Sequence, residues 1–411
     1  MFPATDSTNA PWTLTARWIL PVSAPPLANG IITISGERIV SVGLSDRRTA
    51  DVDLGEAAIL PGFVNSHTHL DLSGLRGRCA PSADFTGWLR QVIAHRRGAT
   101  PEQIKSDVRA GLVESLRNGT TLLGDISGAG GSWEVLANAP LRGVVFREML
   151  GLPEARASGA WQRVDDWLTS RNATPTCRPG ISPHSPYSVR ASLFFAASTR
   201  GVPVAVHLAE TAAEQELLML HRGPFVSFLR DLDVWEPNGL AEDTQHVLNL
   251  LNGLSPTLLV HCNYLAPDSN VPSNCSIVYC PRTHTAFGHA PHPFRHFLQR
   301  GIRVALGTDS LASNPELSIL AEARHLHRHY PDVPGEVLLR MATLTGAEAL
   351  GWADETGSLE AGKSADLVIV PLACGADADP YQRLLDSDLP VQHVLCRGRW
   401  IEPFDASLSS P

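Results

Sequence analysis

Lysine is almost missing from this 411-residue chain: Lys105 and Lys363 are the only two. Long apolar runs are missing as well. None approaches the roughly 20 residues that span a bilayer, so no membrane partner is expected. Residues 1–11 contain no basic stretch followed by an apolar one, and no secretory signal is read there. Blocks of like charge are absent; the net charge of −9 is diffuse, which argues against nucleic acid as a partner. Cysteines stand at 79, 177, 262, 275, 280, 374 and 396. Their odd number and the lack of any Cys-x-x-Cys spacing argue against a disulfide framework and a cysteine-ligated zinc site. Cys262 and Cys280 close apolar runs, where small buried thiols pack well. A reducing, cytoplasmic setting is the expectation. What is present, 43% hydrophobic and 18% charged residues, reads as a globular chain too long for one ordinary domain.

The middle of the chain alternates short apolar, β-branched runs with helical patterns, the signature of repeated βα units. Eight strands are predicted: 59–64, 120–125, 142–148, 178–183, 202–207, 257–261, 275–280 and 302–306. Helices are predicted over 101–118, 191–200, 211–232 and 315–329, with Pro101 and Pro315 in first turns and Gly119, Gly201 and Gly301 as C-caps. Eight such units predict a closed (β/α)₈ TIM-type barrel over 61–356, with its active site at the C-terminal ends of the strands. Residues 1–60 and 357–411 are strand-rich instead, and 30–43 has the pattern of a hairpin. Two or three strands are marginal alone, so both ends are expected to pair in one composite β-sandwich beside the barrel.

Polar residues sit where those strands end. Leu60-Pro-Gly-Phe-Val-Asn-Ser-His-Thr-His69 carries His67 and His69, which share a face because residues i and i+2 of a strand do. Two imidazoles so placed are a natural pair of metal ligands, although an isolated His-x-His is weak. His207 and Glu210, then His261, then Asp309 follow at three further strand ends. The barrel gathers these scattered residues into one candidate site.

These motifs, His67-Thr-His69, His207-Leu-Ala-Glu210, Val260-His261-Cys262 and Gly307-Thr-Asp309-Ser310, resemble those of the amidohydrolase superfamily. The similarity is to its mononuclear-metal branch of deaminases and covers almost the whole chain. Gly357 to Leu367 likewise resembles the family's re-entry into its composite sandwich. The resemblance implies His67, His69, His207 and Asp309 as ligands of one divalent ion. Three histidines and a carboxylate suit Zn²⁺ first, with Fe²⁺ and Mn²⁺ also acceptable. Binuclear relatives bridge two metals with a lysine at the end of strand four; neither lysine of this chain lies there, which favours one metal. A bound Zn²⁺ lowers the pKa of its water to about 7.

The resemblance implies hydrolytic deamination of a cyclic amidine. Glu210 would move a proton from water to a ring nitrogen, His261 would stabilise the developing tetrahedral centre, and Asp309 would relay a proton to departing ammonia. Glu210 as a mere helix N-terminal carboxylate is the bland alternative. Substrate contacts are expected from His184, whose Ser-Pro-His-Ser-Pro-Tyr resembles a motif of thioadenosine and adenosylhomocysteine deaminases, and from Arg147 or Glu148, of which one should face the lumen. Arg282 and His284 are candidates for an anionic or ribosyl group, in a stretch that departs from the Pro-x-Ser-Asn form of those deaminases. Trp88 would stack on a ring or fill the core. His292, His296, His325, His327 and His329 are expected to be solvated. The opening His-Thr-His-Leu-Asp71-Leu-Ser is similar to that of aminofutalosine deaminases, with Asp71 for glutamate. With Arg282 available for that substrate's benzoate, an aminofutalosine-like adenine nucleoside is the leading expectation for the small-molecule substrate, with a thioadenosine-like one beside it; a homodimer stays open. The alternatives are a triazine-type chlorohydrolase or cyclic amide hydrolase on the same fold, and a catalytically silent barrel serving as a scaffold.

Overall fold

The computed structural model describes residues 10–44, 49–373 and 379–401; Cys374 and residues 1–9 lie outside them. Eight parallel strands form one sheet in sequence order: Phe63–Thr68, Thr120–Ser127, Arg142–Met149, Cys177–Pro183, Val204–Leu208, Thr257–His261, Cys275–Tyr279 and Val304–Leu306. They are numbered here as barrel strands one to eight. The ring draws together between strands eight and one at the carbonyl of His67, which accepts N–H bonds of 3.1 Å from both Thr308 and Asp309. A parallel bridge joins Thr68 to Asp309 beside them.

Apolar residues on both strand faces explain this layered arrangement. Val64, Leu122, Val144, Phe146, Ala205, Leu258, Val260 and Val278 belong to one buried cluster inside the ring. Ala347, Leu350 and Trp352, in and after the helix Leu344–Ala349, complete it. The barrel is therefore a packed core, and polar side chains are admitted only where the strands end.

Both chain ends contribute to two further sheets. A six-stranded sheet sets Arg399–Trp400, His393–Cys396 and Leu367–Pro371 beside Ala57–Pro61, Trp18–Ile19 and Leu27–Ala28. Its central pair, Leu367–Pro371 with Ala57–Pro61, is antiparallel and joins the two ends. A four-stranded sheet contains the expected hairpin, Gly30–Ser35 with Arg38–Leu44. Leu14, Ile32, Ile34, Ile59, Leu367 and Leu395 share one buried cluster between these sheets.

Beyond shifts of one or two residues, three boundaries differ from the sequence expectation. The run expected as strand 59–64 divides at Gly62: Ala57–Pro61 serves the six-stranded sheet and Phe63–Thr68 begins the barrel. A Cβ at Gly62 would lie 2.0 Å from Thr121 Oγ1, so only glycine passes that close to strand two. The helix expected over 211–232 is two, Ala212–Leu220 and Pro224–Asp231, separated where His221 turns left-handed with φ 50°. The helix expected from Pro315 starts at Ile319, with Ser318 capping it by accepting from Ala321 N. The three expected cap glycines, Gly119, Gly201 and Gly301, do take positive φ. No helix of the described residues is long and apolar enough to cross a membrane.

Asp366 ties the barrel to the six-stranded sheet. Its carboxylate lies 2.5 Å from Arg142 Nη1 of strand three, with the two side chains 1% and 5% exposed. It also accepts the Arg397 N–H at 2.8 Å, while the Asp366 carbonyl accepts from Gly62 N at 2.9 Å. Removing Asp366 leaves the buried Arg142 with only the more distant Glu355, 3.8 Å away. Asp366→Ala should therefore cost about 3–5 kcal/mol of stability. Denaturant unfolding measures it, and a loss below about 1 kcal/mol would show that the pair does not join the two parts.

Candidate metal centre and active site

The strands do not simply stop at the site; they turn. Ala209, His261, Cys262 and Asp309 take positive φ of 52°, 69°, 55° and 59°. Each such residue costs about 1–3 kcal/mol and persists only where its surroundings over-determine it. Here they do. Cys262 N donates to Leu208 O at 2.9 Å, Tyr264 N to Ala209 O at 2.8 Å and Asp309 N to His67 O at 3.1 Å. His292, expected to be solvated, is buried and donates from Nε2 to the carbonyl of His261 at 2.7 Å. Burial pushes its pKa down to about 3, so it is a neutral imidazole.

These turns bring four predicted ligand side chains together. His69 Nε2 and His207 Nε2 are 3.2 Å apart, and Asp309 Oδ1 is 3.4 Å from His67 Nε2 and 3.7 Å from His69 Nε2. Donor atoms bound tetrahedrally at 2.0–2.1 Å would be separated by roughly 3.3 Å, so the set fits one ion. Both ring nitrogens of His67 are fully buried without a hydrogen bond, a state that costs free energy unless a ligand is supplied. His207 Nδ1 donates to the carbonyl of His184 at 2.9 Å, leaving its Nε2 lone pair for coordination. Burial holds His69, His207 and His261 well below the usual histidine range, in the neutral form that ligates metals. Burial opposes ionisation of Asp309, yet the nearby His67 and His261 hold its carboxyl below the usual value. Ser313 Oγ donates to its other oxygen at 2.6 Å.

Glu210 follows the fifth strand, and its Oε1 lies 3.4 Å from His261 Nε2. Burial, then Asp309 and Glu214, push its carboxyl well above the usual range, so that it could hold and release a proton. Its loop is held by Glu214, which the sequence reading missed. One Glu214 oxygen accepts from Ala209 N at 2.8 Å and the other from Glu210 N at 3.2 Å. Asn263 Nδ2 donates to the Glu210 carbonyl at 3.0 Å.

A second unforeseen feature lies beside the histidines. Arg96 comes from the helix Phe85–Gly98, which the sequence reading passed over although apolar residues at 85, 88, 89, 92 and 93 have helical spacing. Its Nη1 is 3.0 Å from Glu148 Oε2, its Nη2 is 3.2 Å from Asp71 Oδ1, and the same Nη2 lies 3.5 Å from His69 Nδ1. Glu148 Oε1 in turn lies 2.9 Å from His184 Nδ1. Burial works against Glu148 as an anion, but Arg96 and His184 outweigh it and hold the carboxyl far below its usual range.

Two cavities meet here. One of about 40 Å³ opens on His69, His207, Glu210, His261 and Asp309; the other, about 420 Å³, lies farther out. Leu89, Val92, Arg96, His184 and Tyr187 line both. Trp88 lines the inner one and is also packed in an aromatic cluster, 5.1 Å from Phe287. Of the two residues ending strand three, Glu148 lines the outer cavity, whereas Arg147 donates to the carbonyls of Gly128 and Glu148 and lines neither. Arg282 and His284 are not brought to the cavities either. Arg282 pairs with Glu316 at 2.8 Å, and His284 is buried with its Nδ1 3.0 Å from Asn263 Oδ1. Their helix, Pro281–Ala286, packs toward Glu322, which accepts from Arg282 N at 2.9 Å.

The model of the Amidohydrolase family matches residues 58–401. Similar proteins include a 5-methylthioadenosine/S-adenosylhomocysteine deaminase of Moorella thermoacetica, 30% identical over 387 residues, covering 86% of this chain and 84% of the relative. An aminodeoxyfutalosine deaminase of Nitratiruptor sp. is 29% identical over 333 residues, covering 77% and 80%. Among solved structures, a zinc-bound adenosine deaminase from Xanthomonas campestris aligns with TM-score 0.78 at 24% identity, over 97% of this chain and 95% of that one. Helicobacter pylori aminofutalosine deaminase in complex with methylthio-coformycin aligns with TM-score 0.81 at 21% identity, over 95% and 100%. At these identities the structural likenesses speak for the fold.

Glu214 offers a test of how the Glu210 loop is held. Burial raises its pKa from 4.5 to about 7, against the two backbone N–H bonds. A carboxyl raised in the folded state favours folding when protonated, so its contribution is lost as pH rises from 4.5 toward 7. Glu214→Gln cannot accept both N–H groups and should cost about 1–3 kcal/mol. Its unfolding midpoint should also fall less steeply than that of the wild type between those pH values. An unchanged pH slope would show that Glu214 stays ionised in the fold.

Proposed function

The chain belongs to the amidohydrolase family, as a metal-dependent hydrolase of C–N bonds of the deaminase kind, and from that premise we propose that it deaminates an adenine-type nucleoside. The observation that carries this reading is the Glu210 carboxylate beside His261 at the mouth of the histidine–aspartate cluster. His67, His69, His207 and Asp309 would hold one divalent ion, with zinc the first choice on donor chemistry. When bound, such an ion supplies Lewis-acid activation of water at neutral pH.

The chain's own residues account for the proton movements. Glu210 takes a proton from the attacking water and delivers it to the ring nitrogen beside the aminated carbon. That carbon becomes electrophilic, and its new bond to oxygen forms as the ring C=N bond is reduced to a single bond. His261 Nε2 would hydrogen-bond the oxygen at the new tetrahedral centre. Asp309 passes the remaining hydroxyl proton to the amino group, the C–N bond breaks and ammonia leaves. Two carboxylates in unlike surroundings, one raised and one lowered, support this division into a proton shuttle and an anion.

The relatives' own substrates support a nucleoside over a free base, and both thioadenosine-type and aminofutalosine-type nucleosides fit that class. Arg282, the expected partner for a carboxylate, is occupied by Glu316 and lines neither cavity. The aminofutalosine-like choice thereby loses the argument that first favoured it, and the two nucleosides stand level.

Ammonia release from a panel of aminated purines, pyrimidines and their nucleosides tests the proposal. Adenine-type nucleosides should be turned over with the highest kcat/KM. Glu210→Gln should keep the metal and lose about 10²–10⁴-fold in turnover, the usual contribution of a general acid–base group. Near-normal turnover in that variant, or ammonia only from pyrimidines, would contradict the proposal.

A further inference from the structure

The passage between the two cavities differs in character from what lies on either side. Inward is the histidine–aspartate cluster; outward the walls are mainly apolar, including Leu150, Leu152, Phe228, Leu229 and Val234. Arg96, His184 and Tyr187 line both sides of the junction, and Glu148 lines the outer side next to them. Glu148 is 7% exposed, and its two oxygens take the Arg96 Nη1 group at 3.3 and 3.0 Å. Arg96 Nε is buried and makes no hydrogen bond. His184 Nε2 lies 3.2 Å from Tyr187 Oη. A donor with unused capacity and a carboxylate acceptor thus stand side by side at a waist that Leu89 and Val92 also line.

The chemistry of that waist selects its occupant. A carboxylate or phosphate there would face Glu148 and, behind Arg96, Asp71. An ammonium group would face the guanidinium. A hydroxyl can accept from an N–H and donate to a carboxylate oxygen at the same time. We propose that Arg96 and Glu148 form a hydroxyl-reading pair for the part of the substrate next to the reacting ring, the sugar of a nucleoside. This assignment rests on the nucleoside reading above and adds to it which residues read the sugar. The apolar outer cavity then receives whatever the sugar carries beyond its hydroxyls.

The test compares adenosine with 2′,3′-dideoxyadenosine on the metal-loaded wild-type enzyme by ammonia release. The pair should favour adenosine in kcat/KM by about 10- to 150-fold, the range for a hydrogen bond to a charged group. Glu148→Gln and Arg96→Lys should each reduce that preference at least about tenfold, mainly through KM for adenosine. Metal content and melting temperature are measured alongside. Equal kcat/KM for the two nucleosides in the wild type overturns the pair's role and leaves the deaminase reading standing. Ammonia from neither overturns that reading and the pair's role with it. Equal losses on both substrates in the variants would show Arg96 and Glu148 to be structural, because a misassembled site does not distinguish a hydroxyl from a hydrogen. The wild-type comparison stands even where a variant fails to fold.

Discussion

Everything about this site depends on a ring of eight parallel strands ending in one place. The barrel interior is filled by apolar side chains, so strands one, five, six and eight bring polar groups together only beyond the last packed layer. The final step inward is made by left-handed backbone at Ala209, His261, Cys262 and Asp309. Bonds that also help close the ring stabilise it: the His67 carbonyl both joins strand eight to strand one and fixes the turn that presents Asp309. Fold closure and site assembly are thus one set of hydrogen bonds.

The polar groups gathered there would be a liability without a further partner. Buried imidazoles held neutral, a doubly unpartnered His67 and an aspartate kept anionic are costly in a protein interior. Their donor separations suit a single cation, and binding one would return much of that cost. Around this centre the chain adds second-layer supports of a different kind. Glu214, Asn263 and His292 hold backbone rather than side chains, while Arg96 links two carboxylates near His69 and His184.

Much of the fold was legible because parallel strands buried on both faces leave continuous apolar runs, and their polar terminators stand out. His67, His69, His207, His261 and Asp309 were visible for that reason. What escaped was tertiary in origin. Gly62 divides one apolar run between two sheets because Thr121 crowds it, a contact 59 positions away in sequence. Arg282 looked available for a ligand, but Glu316, in the segment leading to the helix Ile319–His329, claims it. His292 looked like a loop histidine, yet it stacks 3.9 Å from Tyr279 and supports His261. Arg96 was a different case, since its helix had a readable periodicity that was passed over.

The central claim is that strand ends one, five and eight form a mononuclear metal centre. Anomalous X-ray scattering from crystals of the zinc-loaded protein tests it most directly. The account predicts one strong peak per chain, at about 2.0–2.2 Å from nitrogens of His67, His69 and His207 and from an Asp309 oxygen. Two peaks bridged by a shared ligand, or a single peak held by other residues, would contradict it.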